Sequence, residues 1–285
     1  MQIYKLSYIL ILLLTFTAGF FSHFSYASNR YYADNTLEPT SGFAWDWGLG
    51  AGYYIEDSYL VGMDSYNDGL EPDIHLAISY NRFYLDYDQS QLSGGLTLGY
   101  SFVDKFDWGL DIVGTNLQAG FDETGLKFYG RDTIDELKGL ASRHYDFDVG
   151  LRLSRRFQDS QFSFEYLHDV SGTHHGWVMN SFFSRIIPWR NWEFRSGIGL
   201  SAYSADFTNY YFGISASEAT VNRPLYQPTA SYSVIVEFHA EYPIHENWVF
   251  LTGWLSTWFS PEISNSPIIS QHYQHKAKVG VRYVF

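Results

Sequence analysis

The segment from His168 to His175 contains the residue types that hydrolytic or metal chemistry requires. It reads His-Asp-Val-Ser-Gly-Thr-His-His, so a candidate nucleophile, base and acid lie close together in the chain. A serine with a histidine base and an orienting carboxylate could form a hydrolase triad, and two histidines with a carboxylate could hold a metal ion. Catalytic groups are recognised by mutual orientation, however, and the adjacent His174 and His175 would face opposite sides of a strand. Serine, glycine and threonine are also common turn residues, so a hairpin loop is the simpler interpretation.

Pairs of acidic residues two positions apart offer a second candidate chemistry. Asp86 with Asp88 and Asp146 with Asp148 are similar to the carboxylate pairs of outer-membrane proteases of the omptin type. Residues at i and i+2 lie on the same face of a strand, and buried charges are normally paired with charges of opposite sign. Structural ion pairs are therefore the simpler interpretation, and we predict no catalytic residue, no metal site and no cofactor.

The composition predicts a sheet protein and excludes several functions. The 285 residues include 9 Trp, 24 Tyr, 23 Phe and 24 Gly, and 46% are hydrophobic. Aromatic residues favour strands, and this apolar content is too high for a disordered chain. The absence of cysteine excludes thiol nucleophiles, disulfides and thiolate metal sites. The net charge of −13 would repel phosphates, so we predict no nucleic-acid partner.

Residues 1–27 are predicted to be a signal peptide. Lys5 provides a positive charge, residues 6–16 form an apolar stretch too short to span a membrane, and Ser25-Tyr26-Ala27 has the small-x-small pattern of a cleavage site. A retained anchor is the alternative. Residues 28–42 would then form an N-terminal tail of an exported protein, and residues 43–285 its folded domain.

From Phe43 onward, apolar and polar residues alternate with the period of a strand. In the first such segment Trp45 and Trp47 would point one way, and Asp46 and Gly48 the other. About twelve segments of this kind follow, each close to the length that a tilted strand needs to cross hydrocarbon. The predicted strands lie at approximately 43–55, 73–81, 83–88, 93–102, 106–115, 145–157, 161–170, 175–187, 192–204, 230–243, 247–259 and 276–285.

The connections between these segments alternate between short and mostly long. Short ones such as 81–82 and 104–105 alternate with long ones such as 116–144 and 205–229. Outer-membrane barrels have short periplasmic turns and longer outer loops, and spanning strands must close because lipid offers no hydrogen-bond partners. We therefore predict an all-β fold: a transmembrane antiparallel β-barrel of about twelve strands in a Gram-negative outer membrane, with both termini periplasmic. If 83–102 were one strand, the count would be eleven.

The last predicted strand alternates small or apolar residues with basic ones and ends at the aromatic Phe285. This ending resembles the signal read by the barrel-assembly machinery of Gram-negative bacteria. The expected partners are therefore that machinery, outer-membrane lipid and lipopolysaccharide; a strand of a soluble periplasmic sandwich is the alternative. The polar strand faces would line the lumen. We predict that they form a charge network of Asp46, Asp146, Asp148, Arg152, Arg195, Glu237, His239, Lys278 and Arg282.

A loop in the second half of the chain resembles a known family. Residues 210–219, Tyr-Tyr-Phe-Gly-Ile-Ser-Ala-Ser-Glu-Ala, with Arg-Pro-Leu-Tyr at 223–226, are similar to the hallmark loop of the MltA-interacting protein (MipA/OmpV) family of outer-membrane proteins. Asp-Val-Ser-Gly at 169–172 and Ser-Pro-Ile at 266–268 are supporting matches. The family-like loop residues are Tyr211, Phe212, Gly213, Ser215 and Ala219.

The resemblance implies a scaffold, not an enzyme. It would bring a murein lytic transglycosylase together with a peptidoglycan synthase. Other relatives are porin-like or adhesive, so a channel or an adhesin is the alternative, and a hydrolase at the outer rim ranks third. A stable interface needs about 800 Å² per partner, more than short turns offer, so we predict that binding also uses the N-terminal tail; a disordered leader is the other interpretation of the tail. The predicted contact residues are Arg30, Tyr31, Tyr32, Leu37, Arg82, Trp189 and Arg190.

Overall fold

The structure is a computed structural model that describes residues 42–63, 68–89, 92–126 and 133–285. The predicted signal peptide and all but the last residue of the predicted tail lie outside the described residues. The same is true of four predicted contact residues, which are Arg30, Tyr31, Tyr32 and Leu37. Within the described part of the chain, no helix has both the length and the hydropathy needed to cross a membrane.

Twelve of the described strands form one closed antiparallel barrel. The strands are β1 (Phe43–Glu56), β2 (Asp68–Tyr80), β3 (Phe83–Asp88), β4 (Leu96–Lys105), β5 (Trp108–Thr115), β6 (Phe121–Asp122), β7 (Gly125–Leu126), β8 (Asp148–Phe157), β9 (Ser160–Asp169), β10 (Trp177–Trp189), β11 (Trp192–Tyr203), β12 (Ser231–His245), β13 (Trp248–Phe259) and β14 (Tyr273–Val284). The short strands β6 and β7 form a separate hairpin. The barrel closes where β1 pairs with β14, with Gly48 opposite Val284 and Glu56 opposite Lys276.

This architecture confirms the predicted all-β barrel of about twelve antiparallel strands. The chain between 83 and 105 forms two strands, β3 and β4, so the eleven-strand alternative does not apply. An even number of strands returns the chain to the rim where it began. Gly42 hydrogen bonds with Asn81 in the turn after β2, and Val284 donates its N–H to Asn247 in the turn after β12, so both described ends lie at one rim.

The alternating pattern turns the apolar side chains outward. On β9, Phe164 and Tyr166 are 38% and 42% exposed, whereas Ser163 and Glu165, which alternate with them, are 2% and 1% exposed. A water-soluble protein shows the reverse arrangement, because its apolar side chains are the ones removed from solvent. An outward apolar surface around a polar interior is the arrangement of a barrel surrounded by lipid.

Five turns of two residues lie at the rim that holds both described ends, and the longer connections lie at the other. The short turns are 81–82, 106–107, 158–159, 190–191 and 246–247. Asn81, Asp107 and Arg190 adopt positive φ there, as tight hairpins between twisted strands require. The turn predicted at 104–105 lies two residues later. The register of β4 against β5 shifts between Ser101 and Val103, and this irregularity lengthens the strand before the turn.

The long loops at the opposite rim pack against one another. Loops 57–67, 116–147, 204–230 and 260–272 contribute nearly all of the buried hydrophobic cluster, and we call their described parts the loop cap. The cluster consists of Leu60, Met63, Phe121, Leu137, Leu140, Phe207, Tyr211, Phe212, Ile214, Ile263, Ile268 and Ile269, with Val178 from β10. Two helices, α1 (Ala205–Phe212) and α2 (Pro261–Ser264), belong to the loop cap. The main apolar core therefore lies in the loops, because the barrel wall turns its apolar side chains outward.

Candidate functional site

Ion pairs between side chains of opposite charge fill the middle of the lumen. Arg152 Nε donates to Glu165 Oε1 at 2.8 Å, and these side chains are 3% and 1% exposed. On the side of the barrel opposite this pair, Lys278 contacts Asp73, and their side chains are 1% and 0% exposed. Further contacts join His75 to Asp46 and Asp88, His239 to Glu237, Arg195 to Glu193, and Arg282 to Glu241. Because water does not reach the Arg152–Glu165 and Lys278–Asp73 pairs, the lumen is closed at their level.

The structure distributes the nine residues of the predicted charge network among separate contacts. Arg152 and Arg195 face the predicted lumen but contact Glu165 and Glu193, which do not belong to the predicted network. Asp146, Asp148, Arg152, Glu237, His239 and Lys278 are buried, and Asp46, Arg195 and Arg282 are partly buried. The charged groups thus contact partners on the same strand, on the neighbouring strand or two strands away.

Asp146, Asp148 and His174 meet at the end of the lumen nearest the loop cap, where all three are buried. One potential ligand atom from each lies within 4.8 Å of the others, close enough for a cation. The imidazole opposes this interpretation: Gly176 N–H donates to His174 Nδ1 at 3.0 Å, so in the neutral ring Nε2 carries the proton, 3.3 Å from Asp148 Oδ1. A metal-binding histidine instead donates its other ring N–H. The geometry fits a hydrogen-bonded cluster better than a metal site.

Two carboxyl groups of the loop cap have pKa values shifted in opposite directions. Burial raises the pKa of Asp146 to about 6, although two backbone N–H groups donate to it. Burial also opposes ionisation of Glu218, but Arg143 and Ser215 outweigh it and lower the pKa of Glu218 to about 2. Arg143 Nη1 donates to Glu218 Oε1 at 2.8 Å across 75 residues of sequence. The ionised Glu218 therefore joins two loops of the cap.

The segment from His168 to His175 wraps around the Asp169 carboxylate. That carboxylate accepts hydrogen bonds from Ser171 N and Oγ and from the backbone N–H groups of His174 and His175, at distances of 2.6 to 2.8 Å. His168 Nδ1 lies 3.0 Å from the Asp169 carbonyl oxygen. Among the described residues, the Ser171 hydroxyl has no histidine ring as a hydrogen-bond partner. The segment is a structural loop, and the structure does not assemble a nucleophile with a base here.

A cavity of about 440 Å³ lies between the loop cap and the charged layer of the lumen. Phe207 and Phe212 of α1 and Ile263 of α2 form part of its outer wall, while side chains of β10 to β14 line its sides. Its polar lining includes Asn116, Gln118, Asn180, Ser201, Ser233 and Gln274. The lumen thus contains a closed charged layer and, above it, a chamber with mixed aromatic and polar walls.

The family-like loop residues lie in the centre of the loop cap. Tyr211 and Phe212 are buried in the last turn of α1, and the Phe212 carbonyl accepts the Ser266 hydroxyl at 2.6 Å. The Gly213 carbonyl accepts Arg143 Nη2 at 2.9 Å. Ser215 donates its N–H to Glu218 Oε2 at 2.9 Å, and its carbonyl accepts the Ala219 N–H. The motif therefore holds several loops together over the lumen.

Three predicted contact residues lie at the short-turn rim, but they do not form one patch. Trp189 is 55% exposed, and the Arg190 guanidinium lies 5.1 Å from the centre of its ring. In the strand order around the barrel, the β2–β3 turn that carries Arg82 is opposite the β10–β11 turn. Arg82 instead adjoins the start of β1, where Asn81 Oδ1 accepts the Gly42 N–H at 3.1 Å. A partner would have to cover the whole end of the barrel to contact all three.

The sequence pattern does not single out helix α1 or the cavity lining, although it contains signals for both. Ser204 precedes an acidic first turn, and its Oγ accepts the Phe207 N–H at 3.2 Å, which is the N-cap that begins α1. Asn180 and Ser201 occupy inward positions of alternating strands and face each other in the register of β10 and β11. Uncharged polar residues at inward-facing positions cannot form ion pairs, so this pattern in the sequence indicates a polar cavity at this level of the lumen.

Comparisons with known proteins identify similar outer-membrane proteins. The family model for MltA-interacting protein MipA matches residues 49–285. Outer membrane protein Omp26La of Vibrio anguillarum is 27% identical over 200 residues, covering 70% of this chain and 76% of that protein. Outer membrane protein OmpV of Vibrio cholerae is 28% identical over 175 residues, covering 61% and 67%. Among solved structures, the NanC porin aligns at 10% identity over 83% of this chain and 98% of its own, with a TM-score of 0.43.

The family match extends from β1 to the last residue of the chain, so it includes the loop cap as well as the barrel wall. A closed barrel with an apolar outer surface is also the β-structure that a lipid bilayer permits, since no strand edge is left unpaired. The sequence match and the fold therefore agree: this chain is an outer-membrane β-barrel protein and belongs to the MltA-interacting protein MipA family.

Proposed function

We propose that this protein is a scaffold with a closed lumen, which binds a murein lytic transglycosylase at its periplasmic rim and links it to a peptidoglycan synthase. The observation that carries the proposal is the burial of the lumen charges: Glu165 and Glu237 are 1% exposed, and Arg152 and Lys278 are 3% exposed. A diffusion pore needs a hydrated lumen, in which charged side chains contact water. The family description, MltA-interacting protein, supports the choice of partner.

In this proposal the short-turn rim faces the periplasm. Outer-membrane barrels have short periplasmic turns and longer outer loops, and here the two-residue turns share one rim with both described ends of the barrel. Murein and its enzymes are periplasmic, so this is the rim that a lytic transglycosylase could reach. The predicted N-terminal tail would emerge beside Arg82, because Gly42 hydrogen bonds with Asn81.

Only the complete end face of the barrel, and not one part of it, has the area that a stable protein interface requires. Twelve strands spaced ~4.8 Å apart and tilted by ~40° enclose a ring about 24 Å across, and rim side chains extend the end face to roughly 900 Å². Stable interfaces use about 800 Å² per partner. A partner seated over the entire rim would therefore contact the tail and Arg82 on one side and the Trp189–Arg190 pair on the other.

A binding experiment with matched variants tests the partner and the rim together. The mature chain, refolded in detergent, is immobilised and titrated with the purified lytic transglycosylase. Deletion of residues 28–40 combined with Trp189→Ala is expected to weaken binding by at least about tenfold. Leu225→Ala is the control, because Leu225 is 54% exposed and Trp189 is 55% exposed, but Leu225 lies in the loop cap at the other rim. If the wild-type protein does not bind, the lytic transglycosylase is not its partner. If the combined variant binds as strongly as the wild type, the partner does not bind through the tail and the Trp189 side of the rim.

Planar-bilayer recording separates the scaffold from the porin-like alternative. The closed charged layer predicts no stepwise current from the refolded protein, because ions would have to displace buried, paired side chains. Regular conductance steps that depend on protein insertion would contradict a closed lumen and favour a channel.

A further inference from the structure

The cavity beneath the loop cap is large for a protein interior. Its volume of about 440 Å³ exceeds by far the small voids of close-packed interiors and lies within the ~300–1,000 Å³ range of small-molecule sites. It is bounded by elements from distant parts of the chain, including α1, α2, β10 and β14. Such a chamber is an architectural feature and not a local packing defect.

One part of the cavity wall is aromatic. Tyr59, Phe182, Phe207, Phe212 and Phe259 line it, and the Tyr59 ring lies 5.4 Å from the ring of Phe259 and 6.4 Å from that of Phe212. The face of an aromatic ring carries partial negative charge and attracts weakly positive C–H groups. Aromatic faces therefore suit a ligand that has flat C–H surfaces.

Another part of the wall offers hydrogen-bonding atoms that the described protein groups leave available. Asn180 Nδ2 donates to Glu165 at 3.1 Å and Gln274 Nε2 donates to Glu56 at 2.6 Å, so both amides keep their carbonyl oxygens as acceptors. Ser93 also lines the cavity, and its buried hydroxyl has no partner among the described groups. Carbonyl and hydroxyl oxygens of this kind accept hydrogen bonds from ligand O–H groups.

The charge of the lining disfavours an ionic ligand. Among the described residues that line the cavity, the charged ones are Glu56 and Lys276, and their charged atoms lie 3.4 Å apart. The two charges cancel and already contact each other. An anion attracted by Lys276 would be repelled by the adjacent Glu56, and a cation attracted by Glu56 would be repelled by Lys276. The lining thus selects for an uncharged molecule.

We propose that this cavity binds an uncharged, hydroxyl-rich molecule of mono- to disaccharide size, with C–H faces against the aromatic wall and hydroxyl groups on the amide and serine oxygens. This binding site goes beyond the scaffold role and does not depend on it. Phe207, Phe212 and Ile263 of the loop cap form the side of the site that lies away from the charged layer.

The test uses sucrose and N,N′-diacetylchitobiose as neutral probes and glucose 6-phosphate as the charged comparison. The full mature chain is refolded with and without each probe in a polyoxyethylene detergent, because maltoside and glucoside detergents would themselves offer sugar groups to the site. Binding is measured by saturation-transfer NMR and by calorimetry. At least one neutral probe is expected to bind, and glucose 6-phosphate is not.

Two variants of the same strand locate the site. Ser201→Phe fills the cavity, whereas Ser196→Phe places the same side chain on the outward face of β11, and folding of both is checked by heat-dependent migration in gels. Neutral-probe binding is expected to fall by at least about tenfold in Ser201→Phe and to be unchanged in Ser196→Phe. If Ser201→Phe does not fold, Thr257→Val, which removes one cavity hydroxyl with little change in volume, replaces it.

Three results would overturn the proposal: no binding of either neutral probe, equal binding of the charged comparison, or unchanged binding in the cavity variant. The transglycosylase titration does not involve the cavity, so a failure here leaves the scaffold proposal standing and is distinguishable from its failure.

Discussion

The burial of the lumen ion pairs predicts a large and specific effect of removing Arg152. Its guanidinium donates to Glu165 at 2.8 Å, and its Nη1 also donates to the Tyr84 hydroxyl at 3.3 Å. The change Arg152→Met keeps much of the side-chain length but removes the charge. It takes away the cation that contacts Glu165 in the structure, while Glu165 itself is 1% exposed.

The expected magnitude follows from the separation of the charges and their burial. Two charges about 4 Å apart interact by about 4 kcal/mol at an effective dielectric constant near ~20, and losing one partner of a buried pair costs about 3–5 kcal/mol. We therefore expect Arg152→Met to lower the free energy of unfolding by about 3–5 kcal/mol. The double variant Arg152→Met/Glu165→Met should recover most of this loss, since apolar replacement of both partners is often close to neutral.

Urea titration of the barrel refolded into lipid vesicles, followed by tryptophan fluorescence from both the folded and the unfolded side, measures this free energy. Arg155→Met is the matched control: Arg155 lies three residues along β8 on the outward face, 4.9 Å from the centre of the Trp108 ring. The control should cost less than about 1 kcal/mol. If Arg152→Met costs no more than Arg155→Met, water reaches the lumen charges, and the reasoning that the lumen is closed is wrong.

Three further predictions concern the barrel wall and the loop cap. A Cβ at Gly150 would lie 1.8 Å from the Tyr166 carbonyl oxygen, whereas one at Gly69 meets nothing within 4 Å, so Gly150→Ala should reduce the folded yield in gels and Gly69→Ala should not; equal yields would contradict the register of β8 against β9. Because the pKa of Glu218 is lowered from 4.5 to about 2, its ionised form stabilises the loop cap above pH 4.5, and this contribution declines as the pH falls from 4.5 towards 2. Pepsin should therefore cut the cap increasingly across that window, and Glu218→Gln should remove the pH dependence; an unchanged profile in the variant would argue against the Arg143–Glu218 contact. Ser204→Ala removes the N-cap of α1 and should destabilise the cap by about 1 kcal/mol, measured as faster hydrogen exchange at 205–212 with no change in the barrel strands.

The barrel can be predicted from the sequence because its signals are local. Alternation of apolar and polar residues fixes which side chains face lipid, as on β9, and this pattern depends only on the two-residue period of a strand. The separation of β3 from β4 and the position of the turn after β4 are harder to predict, because a short connection and a register shift leave weak marks in the sequence.

The partners of the polar side chains depend on the tertiary structure. Arg143 reaches Glu218 across 75 residues, and Arg223 donates to the Glu136 carbonyl across 87. Neither contact can be predicted from the spacing of residues in the sequence, because the positions of the loops depend on packing between loops and not on periodicity.

The amino-acid pattern alone is enough to specify a closed ring of two-faced strands, since each strand carries its own lipid-facing pattern and lipid forces the backbone to pair internally. The folded barrel adds that the lumen is shut by pairs such as Arg152 with Glu165 and that a chamber remains under the loop cap. These features emerge only on folding, because ring closure and strand register bring together residues that are distant in sequence. Whether two inward charges neutralise each other, or leave space between them, depends on distances that no single segment encodes.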